Sequence, residues 1–243
     1  MQPIQKTARI AGALYVAGSI PGFFAIIYIP KKFIVDGNAT ATAANILAHE
    51  MLFRVGIFGD LAQSVIFIFV AIALYRLLSG VNKTWAATMV ALALVGCAVG
   101  FANVMPSIAA LVVFRGGQFL TVIERPQLDA LGMLFLQLHQ KGFTVNQIFW
   151  GVWLLPFGLL VMRSGFLPWI LGLWLVFNCF AYLALSLTAL LLPDYATAVS
   201  HLVSPVLFGE VAIMLWLLIK GAKVVPAPAA ASVSDSRVQA PQL

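Results

Sequence analysis

Six stretches of this chain are apolar for about the length a helix needs to cross a bilayer: Ile10–Ile29, Leu52–Leu78, Trp85–Phe114, Gly142–Met162, Phe166–Leu192 and Leu202–Ile219. At about 1.5 Å of rise per residue, about 20 residues cover the roughly 30 Å of hydrocarbon. Backbone N–H and C=O groups find no water in lipid, so a helix that bonds them internally is the economical way across. Hydrophobic residues make up 62% of the chain and charged residues 9%, where a soluble domain carries roughly 25% charge. That much apolar surface must face something other than water. The expected fold class is therefore an all-α integral membrane protein, a six-transmembrane-helix bundle.

The first run follows Lys6 and Arg9, as a signal peptide would, but it is too long for a signal h-region and ends Tyr-Ile-Pro-Lys-Lys. It reads as an uncleaved first span. Gly96, Gly100 and Pro106 punctuate the third run and Pro156 the fourth, so breaks are expected there. The long connection from Arg115 to Lys141 places Leu128, Leu131, Leu134, Phe135 and Leu138 at helical spacing among polar residues. This pattern predicts an interfacial amphipathic helix between spans 3 and 4, and it equally suits a helix packed on the bundle's loops. Residues 1–223 form one membrane domain. From 224 to 243 the composition turns to Pro, Ala, Ser, Val and Gln without periodicity, which predicts a disordered tail.

Fourteen Lys and Arg stand against eight Asp and Glu. They lie singly or in pairs at the ends of apolar runs, where headgroup attraction and the positive-inside bias put them, and they form no clustered nucleic-acid patch. With six spans both termini share a side. That side receives eight basic residues (Lys6, Arg9, Arg76, Lys83, Arg163, Lys220, Lys223 and Arg237) and the other receives six. The expected placement is a cell membrane, inner or plasma, with both termini cytoplasmic.

Ionisable groups inside a span are costly unless paired or wetted, which makes Arg54, Asp60 and Glu210 the candidates for function. Spans two and six start on the same side. Asp60 lies about 14 Å in from Met51 and Glu210 about 11 Å in from Val203. Asn103, Asn146, Gln147 and Asn178 fall at similar depth or near the middle. The expectation is a polar pocket opening to the non-cytoplasmic side, with Asp60 and Glu210 as ionisable walls and Arg54, Asn103 and Asn178 beside them, holding a small solute, a proton or a cation. The alternative is structural: the carboxyls and asparagines are hydrogen-bonded struts between helices, and Arg54 pairs with Glu50 four residues earlier at headgroup level.

Enzyme chemistry is less well supported. Haem in a bundle needs His pairs on facing spans, and His49, His139 and His201 read as loop or span-end residues. His49-Glu50 lacks the second His of a zinc protease. Ser200-His201 allows a dyad on paper, without a nucleophile elbow. Cys97 and Cys179 have no metal-ligand spacing and read as small buried hydrophobes, so no cofactor or metal is expected. Asn38-Ala39-Thr40 reads as a helix cap rather than a glycan site. Gly96 with Gly100, and Gly18 with Gly22, read as close packing within the bundle.

Several segments together resemble the bacterial membrane family known as domain of unknown function 4386. They are Arg9-Ile-Ala-Gly-Ala-Leu-Tyr15, Ala44-Asn-Ile-Leu-Ala-His-Glu50, Leu52-Phe-Arg-Val-Gly56 with Asp60, Val81-Asn-Lys83, Arg163-Ser-Gly-Phe-Leu-Pro168, Leu192-Pro-Asp-Tyr195, and Gly209-Glu210 leading to Trp216 and Lys220-Gly221. The resemblance implies a bacterial multi-helix membrane protein and no particular activity. Arg163-Ser-Gly-Phe-Leu-Pro reads physically as a tight cytoplasmic turn in which Gly165 bends the chain and Pro168 starts the next helix.

Overall fold

The fold comes from a computed structural model that describes residues 3–223. The tail expected at 224–243 lies outside them. All the described regular structure is helical, and six segments are long and apolar enough to cross a membrane. The chain is a multi-pass membrane protein.

The first span runs from Pro3 to Phe33. In it α1 (Pro3–Phe23) passes through a π-helical turn (Phe24–Tyr28) into α2 (Ile29–Phe33). The short α3 (Ala39–Ala48) is capped by Asn38, whose side chain accepts from the Ala41 N–H at 2.9 Å, so Asn38 serves as the helix cap its position suggests. Next come α4 (Glu50–Leu78) and α5 (Lys83–Arg115), the second and third spans. The fourth is α6 (Arg125–Val152) continued by α7 (Leu154–Arg163). Pro156 lies just past the junction: with no N–H and a ring that crowds the preceding turn, it loosens the helix there, and the Trp153 and Phe157 amides reach their carbonyls at 3.3 and 3.4 Å. The fifth span is α8 (Trp169–Leu191), entered through a turn in which Gly165 adopts φ +69° and the Ser164 hydroxyl accepts from the Leu167 amide.

Three elements differ from expectation. The breaks expected in the third span are absent: α5 runs from Lys83 to Arg115 as one helix with Pro106 inside it. The stretch expected to form an interfacial helix is helical but not separate: α6 runs 28 residues without interruption from Arg125 into the fourth span, packed on α5 and α3. Leu134 and Leu138 face outward, while Asp129, Gly132, Leu136, His139 and Asn146 are buried. A helix flanked by lipid turns its apolar side out and its polar side in, the reverse of a soluble amphipathic helix. The sixth span is broken as well. A short α9 (Ala196–Val203) ends in a turn across Ser204-Pro205-Val206-Leu207, and only α10 (Phe208–Ile219), about 18 Å long, is continuous to the far side. The freed backbone is met from α8: Trp174 Nε1 donates to the Val206 carbonyl at 2.9 Å, and Asn178 Nδ2 reaches the Leu207 carbonyl at 3.4 Å. Irregular backbone at membrane depth is tolerated when protein partners satisfy it in this way.

The helices close into a ring, α1 on α4, α4 on α5, α5 on α6, α6 and α7 on α8, with α10 against both α8 and α1. Gly18 and Gly22 abut Ile66 and Gln63 of α4, while Gly96 and Gly100 abut Phe149 and Ser64, so both glycine pairs serve packing inside the bundle. The core is split. One cluster around Leu74, Met89, Phe157 and Leu217 fills the end that carries the termini; a second around Phe33, Ile46, Phe53 and Phe114 fills the first-loop end.

Candidate functional site

Between the two cores lies a cavity of about 300 Å³, walled by α1, α4, α5, α6, α8 and α10. Asp60, Asn103 and Glu210 all reach its wall, together with Gln63, Ser64 and Asn146. The two other residues expected beside the carboxyls do not. Arg54 is half exposed and ion-paired to Glu50 at 2.7 Å, with Arg115 3.5 Å from the other Glu50 oxygen. Asn178 is fully buried and serves the broken backbone of the sixth span.

The first polar group in the cavity is built on α4, α5 and α6. His139 Nε2 lies 3.4 Å from Asp60 Oδ2, and His139 Nδ1 lies 2.7 Å from the Asn103 backbone carbonyl. A carbonyl only accepts, so Nδ1 carries the hydrogen, and Nε2 gains one only in the imidazolium. The pair is thus bridged either by a protonated Asp60 facing a neutral imidazole or by a carboxylate facing an imidazolium. Asn103 closes the arrangement by donating Nδ2 to the His139 carbonyl at 3.0 Å. Its amide fits because residue 142 is glycine: a Cβ there would fall 1.6 Å from Asn103 Oδ1. Asp60 and His139 also border a second, much smaller cavity toward Pro30, Phe33 and Ile34, so the pair is a shared wall on the first-loop side.

The second group is built on α1, α8 and α10. Glu210, in the first turn of α10, accepts a hydrogen bond from the hydroxyl of Tyr15, and Tyr182 lines the same cavity. Each tyrosine is backed by a tryptophan, Tyr15 by Trp153 and Tyr182 by Trp150, both with ring centroids 6.2 Å apart. Tyr15 also stands edge-on to Phe67 at 5.7 Å. Gly12 of α1 abuts Leu217 and Leu218 of α10, and Gly18 and Gly22 abut Ile66 and Gln63 of α4, a register that puts Glu210 on the terminal side of Asp60. Among the described residues lining the cavity there is no Lys or Arg.

His139, Tyr15 and Tyr182 were not legible as site residues. His139 sits in the polar stretch that reads as a connection, and its one sequence signal is its place on the small and polar stripe with Gly132, Leu136, Gly142 and Asn146. The tyrosines carry no signal of their own, because aromatic residues are ordinary in spans; only the packing of α1 and α8 against α10 brings them to Glu210.

Fold and site define a six-span helical membrane protein with an internal cavity lined by carboxyls, amides and aromatic rings. A family model described as Domain of unknown function (DUF4386) matches residues 10–221, and the chain belongs to that family. No curated protein and no solved structure matches it.

Proposed function

We propose that the protein binds, and on binding moves, a small solute or proton at the cavity between its two cores, with Asp60 and Glu210 as the ionisable groups. One observation carries the reading: two intramembrane carboxyls reach the wall of the same cavity, and neither is offset there by a Lys or Arg among the described residues. Intramembrane carboxyls are expensive to keep, and those on cavities mark pathways for ions, protons or solutes. The Asp60–His139 pair is suited to proton exchange, because the histidine tautomer leaves a single bridging position between them. We further propose a cell membrane as the location, with both termini in the cytoplasm, on the charge bias of the connections.

A structural reading is favoured at Asn178, whose amide serves the broken sixth span, and at Arg54, which is paired at the surface. It extends to the carboxyls if Glu210 only ties α1, α8 and α10 together. Infrared difference spectroscopy in the carboxyl region, on purified full-length protein with D60N and E210Q variants, separates the readings. A carboxyl band that shifts with pH or with an added solute, and vanishes in one folded variant, supports the cavity. Bands that stay silent throughout, with variants that fail to assemble, leave the carboxyls as struts.

A further inference from the structure

Resting on the cavity reading above, the geometry points to a small organic ammonium ion as the occupant, held against Glu210 in an aromatic box. Three independent features converge on this class. First, the only charged side chains on the described cavity wall are Asp60, Glu210 and His139. Asp60 has His139 as its counter-group, whereas among the described residues Glu210 has a neutral tyrosine hydroxyl as its hydrogen-bond partner. An ionised Glu210 therefore lacks a counter-charge among the described residues, and a buried anion without one is costly in a low-dielectric interior. A cation in the cavity would supply it.

Second, the cavity that Glu210 reaches is lined by aromatic residues, Tyr15, Phe67, Trp150, Trp153 and Tyr182 among them. Tyr15, Phe67 and Trp153 form one contiguous group, with Phe67 and Trp153 centroids 5.0 Å apart, and Trp150 with Tyr182 forms the other. Rings within about 6 Å of a desolvated ammonium attract it through their quadrupoles by about 2 kcal/mol or more, tryptophan most of all. They offer nothing comparable to an anion, and a dehydrated metal ion prefers oxygen or nitrogen donors. No group of three or more His, Cys, Asp or Glu side chains converges among the described residues.

Third, the cavity is small: about 300 Å³ lies at the small end of ligand cavities, which fits an ion of a few carbon atoms.

The test is equilibrium titration of full-length protein in detergent, read by tryptophan fluorescence. Choline chloride is compared with its uncharged isostere, in which carbon replaces nitrogen, and with sodium chloride at equal concentration. Saturable quenching by choline alone is expected, weakened at least tenfold in E210Q and in W150L while thermal unfolding stays near that of the parent. If E210Q does not fold, Y15F serves in its place, since it keeps the ring and removes one hydrogen bond to the carboxyl. Equal binding of the uncharged isostere overturns the cation class and leaves the cavity standing as a solute site. Equal quenching by sodium overturns the organic character. Absence of saturable binding by any of the three overturns the inference as a whole, while the carboxyl infrared experiment still decides the broader reading.

Discussion

Gly142 shows how much can hang on one missing side chain. A methyl group there would sit inside the Asn103 amide, which then has to leave its bond to the His139 carbonyl. Gly142→Ala is expected to cost about 1–3 kcal/mol, the usual penalty for stranding a buried polar group. Adding Asn103→Ala should recover part of the loss, a coupling that a double-mutant cycle by thermal unfolding in detergent would read directly. The opposite outcome is expected at Arg54: its side chain is 46% exposed, so Arg54→Ala should lower stability by less than about 1 kcal/mol. Asp60 and Glu210 were visible in the sequence because a lone carboxyl in an apolar run is conspicuous. His139 was hidden because its neighbours Gln137, Gln140 and Lys141 make the stretch look like a surface connection. The partner of a buried charge depends on which helices meet, and helix spacing along a chain does not encode that.

Among the helices, hydrophobic length is the dependable signal and continuity is the weak one. The apolar runs locate all six spans, because lipid imposes one requirement on each of them. The same runs conceal the break in the sixth span: Ser204-Pro205 lies inside an otherwise apolar stretch, and hydropathy does not distinguish a straight helix from two halves. The proline removes a donor and crowds the turn before it, while Trp174 and Asn178 make the resulting turn affordable from α8. Asn178→Leu is accordingly expected to destabilise the protein by about 1–3 kcal/mol, with faster amide hydrogen exchange confined to 204–207. An effect spread evenly over α8 would show that Asn178 acts through packing instead. The amphipathic first half of α6 was likewise visible as a helix, but its inner and outer faces follow from the solvent around it.

At the scale of the molecule, an even number of spans puts residues 36 and 122 on one side and residue 80 on the other. Cys97 and Cys179 are buried, so they should give little background in thiol labelling. With both termini cytoplasmic, a membrane-impermeant maleimide applied to intact cells should label Asp36→Cys and Val122→Cys and spare Gly80→Cys; the reverse pattern would invert the topology. The division of the core has a further consequence for how the protein holds together. Each end is packed by its own cluster, and the cavity of about 300 Å³ interrupts the packing between them. A guest bound there would stabilise the folded state by mass action, so the stability of the fold would depend on solution composition. A guest present at a hundred times its dissociation constant would add about 2.7 kcal/mol. A melting curve recorded across a library of small solutes is then a search for the missing piece of the interior.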